Sequence, residues 1–117
     1  MFRVFALFAL LSILSWTPIQ AAEPGLQPSP GRRQALIHMV IQDCGSCHGL
    51  TLKGGLGPAL LPADLADKDV PGLVTTIHQG RPGTAMPPFK SLLSEAEAAW
   101  IVEQLRQGFP RDQGERP

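Results

Sequence analysis

Tyrosine is absent from the 117 residues, and the other aromatics are five Phe and two Trp. Charge of either sign is not in excess: ten Lys and Arg balance ten Asp and Glu. The basic residues do not gather into a stripe, so a nucleic-acid surface is excluded. Cysteines number two, Cys44 and Cys47, which allow one disulfide at most. No apolar run reaches the roughly 20 residues that a spanning helix needs, so no stable membrane anchor is expected. No stretch alternates apolar and polar residues for long enough to build a sheet, and no internal repeat is present. Proline and glycine are the opposite case, at twelve each, which places many residues in loops.

Residues 1–22, "MFRVFALFALLSILSWTPIQAA", carry Arg3, then a short apolar run, then Pro18 and the small pair Ala21 and Ala22. That order is the pattern of a cleaved secretory signal, so export to the periplasm is expected. Removing it takes only Arg3 among the charges and leaves about 95 residues, enough for one small domain. Residues 23–31 are Pro-rich and read as an extended leader. The domain itself is assigned to residues 32–109, and residues 110–117 form a polar tail.

Within the domain the periodicity is helical, and the expected class is all-α. Leu36, Met39 and Val40 fit one face of a helix that runs into Cys44. Residues 49–68 are rich in Gly and Pro and read as a long loop with one short helical turn. Asp69 caps a second helix, with Pro71 in its first turn, Leu73, Val74 and Ile77 on its apolar face, and Gly80 at its end. "GRPGTAMPPFK" is a further loop. The last helix opens on the Ser94/Glu97 capping box, carries Ala98, Trp100, Ile101, Val102 and Leu105, and stops at Gly108 and Pro110.

The chemistry is concentrated in "DCGSCHGLTLKGGLGPAL", which begins at Asp43. A zinc site needs about four ligands, and no second ligand pair accompanies Cys44, Cys47 and His48. A thioredoxin-like dithiol needs a neighbouring βαβ unit, and no strands are visible. A Cys44–Cys47 disulfide accounts for the thiols but leaves His48 and the later Met loop unexplained. Covalent haem accounts for all of them. In Cys-x-x-Cys-His each thiol adds to one vinyl group of the porphyrin, and the adjacent imidazole reaches the iron. A loop-rich chain with few large apolar side chains gains from such a buried group.

A six-coordinate iron needs a second axial ligand. Met86 stands in "GTAMPPF", 38 positions after His48, between a Gly-rich turn and the stiff pair Pro87 and Pro88. Its thioether is a soft ligand that raises the iron potential. His78 is the rival ligand, but it lies two residues before Gly80, which favours a solvent-edge or hydrogen-bonding role. Met39 reads as core. The Pro58 carbonyl in "GLGPAL" is the candidate acceptor for the His48 ring nitrogen that does not meet iron. Arg81 is a candidate partner for a haem propionate, or else a solvated loop arginine. Trp100 is expected where the first and last helices cross.

"CGSCH" on a first helix, "GPAL" after it, "MPPF" late in the chain and a capped last helix with Trp100 together resemble a class I c-type cytochrome. The resemblance spans about residues 31–108. It implies helices wrapped around one covalently bound haem c, with His48 proximal and Met86 distal. Leu36 and Val40 stand where such proteins often carry an aromatic on the first helix. "CGSCHGLTLKGGLGPAL" with "GRPGTAMPPF" is similar to the small NirC-type periplasmic cytochromes associated with the haem-d-containing dissimilatory nitrite reductase of denitrification. That likeness implies either electron donation to the reductase or a supporting part in maturing its haem d. The expected function is a periplasmic electron carrier to the reductase, a monomer with no catalytic residues of its own; the alternatives are a partner in haem d maturation and an open-site haem that binds gas.

Overall fold

The computed structural model describes residues 27–109, so the expected signal at 1–22, leader residues 23–26 and the tail at 110–117 lie outside the described residues. Helix α1 runs Pro30–Met39 and continues through a wider π-helical turn, Val40–Cys44, into α2, Gly45–His48. Helix α3 is the single turn Pro62–Leu65, α4 is Val70–Gln79 and α5 is Glu95–Gln107. The described residues contain helices and loops with no strand, as the periodicity predicts.

Helix α1 starts inside the segment read as leader. The Ser29 hydroxyl accepts from the Arg32 amide, and Pro30 occupies the first turn, where its missing N–H costs nothing. A Ser-Pro pair is a helix start as well as a loop feature, and here the start prevails. Asp69 caps α4 by accepting from the Gly72 amide at 2.7 Å. The Ser94/Glu97 box caps α5 reciprocally, at 3.1 Å and 2.9 Å.

Helix α5 is the axis of the packing. One side, with Trp100, Ile101 and Leu105, meets Leu36 of α1 and Val40 of the π-helical turn together with Leu52, Leu65 and Leu93. Another side, with Ala98 and Val102, meets Val74 of α4. Leu36 and Val40 are both fully buried, so two aliphatic side chains fill the crossing and Trp100 packs in the same cluster. Burying a side chain of this size contributes about 1.5–3 kcal/mol. Met39 also packs against that cluster. Arg32 of α1 adds a polar clasp: its Nε donates to Glu97 Oε1 at 2.6 Å and its Nη2 to Glu97 Oε2 at 3.1 Å and to the Leu92 carbonyl at 2.9 Å.

Candidate haem-binding site

Cys44 ends the π-helical turn, and Cys47 and His48 follow on α2. The two cysteines are unpaired thiols. Cys44 is half-buried and packs on the core, while Cys47 is exposed. Burial, reinforced by the negative charge of Asp43 and then by Cys47, pushes the Cys44 thiol up to about 11, so it is protonated at neutral pH. Among the described residues no group of three or more His, Cys, Asp or Glu is placed to hold a metal ion.

The loop after His48 folds back under the motif. The Gly54 amide donates to the His48 carbonyl and the Gly57 amide to the Cys47 carbonyl, each at 2.8 Å. This return brings the Pro58 carbonyl to 2.7 Å from His48 Nδ1, a distance for a short, strong hydrogen bond. With Nδ1 donating to that carbonyl, the tautomer leaves Nε2 as the ring's lone-pair nitrogen. Gly57 is the residue that sequence reasoning missed. A Cβ built there would lie 2.8 Å from His48 Cε1 and Nδ1, so the imidazole rests directly on a backbone without a side chain. "LGPAL" reads as a plain turn, and nothing in it announces a ring stacked against the glycine.

Met86 is placed differently. Gly80 ends α4 with φ +70 and ψ −172, a conformation essentially reserved for glycine. A Cβ there would meet the backbone of Pro87 and Pro88 at 2.7 Å and the Met86 carbonyl at 2.8 Å. The Arg81 amide donates to the Met86 carbonyl, and the amides of Phe89 and Lys90 donate to the carbonyls of Ile77 and His78, each at 3.1 Å. The Thr84 hydroxyl braces the loop from within, donating to the Arg81 carbonyl at 2.7 Å and accepting from the Met86 amide at 3.3 Å. Met86 is half-buried and Arg81 is exposed. The His78 ring lies 3.0 Å from Gln79 Nε2, through Nδ1.

The donor set suits covalent haem: two unbridged thiols on one helical turn, an adjacent imidazole oriented through Nδ1, and a thioether on a braced loop. Apolar surface is also left uncovered beside the motif, with Leu50 70 % and Leu56 95 % exposed. A groove of about 620 Å³ lies elsewhere, along Val70, Ala99, Trp100, Glu103 and Arg106, and none of Cys44, Cys47, His48, Pro58 or Met86 lines it.

The comparisons with known proteins agree on a class. The family described as "Cytochrome C oxidase, cbb3-type, subunit III" matches residues 32–104. Cytochrome c55X of Stutzerimonas stutzeri is 46 % identical, over 88 % of this chain and 88 % of its own. A solved structure of the c-type cytochrome NirC superposes with a TM-score of 0.68 at 52 % identity, covering 69 % of this chain and 95 % of that one. A solved structure of dihydro-haem d1 dehydrogenase NirN in complex with DHE matches at 37 % identity with a TM-score of 0.57, covering 64 % of this chain but only 16 % of that larger one. The chain belongs to the c-type cytochromes, with the all-helical fold of that family and a close relation to cytochrome c55X and NirC. The expected class is therefore correct, and so is the narrower likeness to NirC-type proteins.

Proposed function

We propose that this chain is a monohaem electron carrier of the periplasm, holding haem c through Cys44 and Cys47, with His48 and Met86 as axial ligands. The observation that carries the reading is the 2.7 Å contact of His48 Nδ1 with the Pro58 carbonyl, directly beside the two thiols. Haem supplies one-electron exchange between Fe(II) and Fe(III). The chain's own work is orientation. The Pro58 carbonyl fixes the tautomer and rotation of His48 and raises its basicity as a ligand. The Pro87–Pro88 pair and the Thr84 brace hold Met86 against movement between the two oxidation states. His48 and Met86 would together hold the iron, and a haem so held would supply electron exchange rather than substrate chemistry.

Haem staining after denaturing electrophoresis of protein made with the attachment machinery tests the cofactor. Colour must survive unfolding, and a colourless band rejects the reading. Met86→Ala then tests the distal ligand. Attached haem remains, the far-red band of Met-bound ferric haem disappears and the potential falls. An unchanged spectrum transfers the assignment to His78.

The acceptor we propose is a haem-d-containing nitrite reductase. A second reading follows from the likeness to the dehydrogenase acting on dihydro-haem d1. Dehydrogenation releases two electrons, and a one-electron carrier of this kind would accept them in two encounters during haem d maturation. Mixing the reduced cytochrome with the oxidised reductase, and the oxidised cytochrome with the dehydrogenase and dihydro-haem d1, while following the haem c spectrum, separates the two. Rapid oxidation by the reductase supports the carrier reading, and no transfer to it favours the maturation role.

A further inference from the structure

The π-helical turn stands immediately before the haem motif, and its consequence is rotational. The Gly45 amide donates to the carbonyl of Val40, five residues back, and to that of Gln42. Upstream, the Val40 amide makes the ordinary contact to Leu36, four residues back. The ladder therefore takes in one extra residue between Val40 and Gly45.

An α-helix turns about 100° per residue. Continued without interruption from Leu36, it would place Val40 about 40° round, Cys44 about 80°, Cys47 about 20° and His48 about 120°. Cys47 would then face the core, and His48 would point well away from it. One absorbed residue turns everything after it back by about 100°. Cys44 and His48 then come to within about 20° of Leu36 on either side, and Cys47 moves to about 80° off. The burial pattern follows the second arrangement: Leu36 and Val40 are fully buried, Cys44 packs on their cluster, His48 is half-buried and Cys47 is exposed. Gly45 is also buried, and a Cβ there would lie in ordinary contact with Leu50 and the Val40 carbonyl.

We propose that the extra residue in the Val40–Cys44 turn is a register device, which brings Cys44 and His48 onto the face of the first helix that packs against α5. It rests on the reading of the chain as a haem protein. The two requirements it reconciles are independent. Leu36 and Val40 must face α5 for the domain to have a core. Cys44 and His48 must face the same interior if His48 and a residue of the distant Met86 loop are to meet across one ring. A straight α-helix with this spacing meets only one of them.

The test uses the holoprotein. Haem staining of the unaltered chain decides the underlying reading first. Through-hydrogen-bond coupling in the nuclear magnetic resonance spectrum then assigns the Gly45 amide. Coupling to the Val40 carbonyl is expected, and coupling to Ile41 instead overturns the register. Deletion of Gln42 removes the extra residue, whereas Gln42→Ala keeps the count. Gln42→Ala is expected to keep the far-red methionine band and the melting temperature. The deletion is expected to lose the band, with or without loss of attached haem. A deletion protein with the unaltered band and melting temperature overturns the proposal. If the deletion protein does not accumulate, the Gly45 coupling in the unaltered chain decides.

Discussion

The loop after His48 and the loop around Met86 carry the two proposed axial ligands, and they are anchored in opposite ways. The first is hydrogen-bonded to the motif itself, through Gly54 to His48, Gly57 to Cys47 and His48 to Pro58. The second is hydrogen-bonded to the end of α4, through Ile77 and His78, and is closed on itself by Arg81 and Thr84. Helix α4 in turn rests on α5 through Val74, Ala98 and Val102. His48 is therefore held by its neighbours in sequence, and Met86 by the packing of another helix. Disturbance of the α4 end should uncouple Met86 while leaving the His48 side intact.

Gly80→Ala is the strongest way to force that separation. The conformation disfavours any side chain, and the added carbon would meet backbone rather than a flexible tip. A loss on the order of 3 kcal/mol is expected, from strain and overpacking combined. The far-red methionine band should weaken or vanish in the ferric protein while attached haem is retained. Equal damage to both sides, seen as haem loss together with loss of the band, would contradict independent anchoring.

Gly57→Ala strikes the other loop. The new methyl group would press on the His48 ring, whose position is fixed by Pro58, so the ring has little freedom to move aside. Overpacking of this kind costs about 1–3 kcal/mol. The expected signature is a changed midpoint potential and lower stability to denaturant, with the methionine band present. Loss of the methionine band would assign the glycine to the wrong loop.

The clasp between Arg32 and Glu97 supports neither ligand directly but joins the first helix to the last. Its hydrogen bonds to Arg32, followed by that from the Ser94 amide, hold the Glu97 carboxyl down at about 2, from an ordinary value of 4.5. Since the folded-state value is the lower one, the contribution is fully present above about pH 5. It is lost as the pH falls from there through about 2, because the unfolded chain takes up the proton first. The pair is partly exposed, so about 1 kcal/mol is the appropriate size. Melting between pH 6 and pH 3 should show a larger loss for the unaltered protein than for Arg32→Ala, whose Glu97 lacks the partner.

The same contrast governs what could be read beforehand. The caps of α4 and α5, the chain stops at Gly80 and Gly108, and the approach of Pro58 to His48 all lie within short spans, where residue type and spacing carry the information. The Arg32–Glu97 clasp joins positions 65 apart and leaves no local mark. The π-helical turn leaves none either, because an apolar pattern shows which residues face inward only after a hydrogen-bond register has been assumed. Pro30 was hidden by composition: in a run with Pro24, Pro28 and Pro30 the capped helix start resembles more leader. Met86 was legible as a residue type in a stiff loop, but not the means by which α4 holds it.

Thr84→Val is the mildest probe of the Met86 loop and the most selective. The substitution keeps the shape of the side chain and removes only the hydroxyl, which bridges the Arg81 carbonyl and the Met86 amide. The loop is exposed, so water replaces much of what is lost and the stability change should not exceed about 1 kcal/mol. Global unfolding is therefore a poor readout. The rate at which an added ligand such as imidazole displaces Met86 from ferric haem is a better one, because it reports local opening of the loop. A several-fold faster displacement is expected, with an unchanged potential, since the bond itself is remade on closing. If displacement is unaffected, the hydroxyl bridge does not hold the loop, and the backbone bonds from Phe89 and Lys90 to α4 account for its order without it.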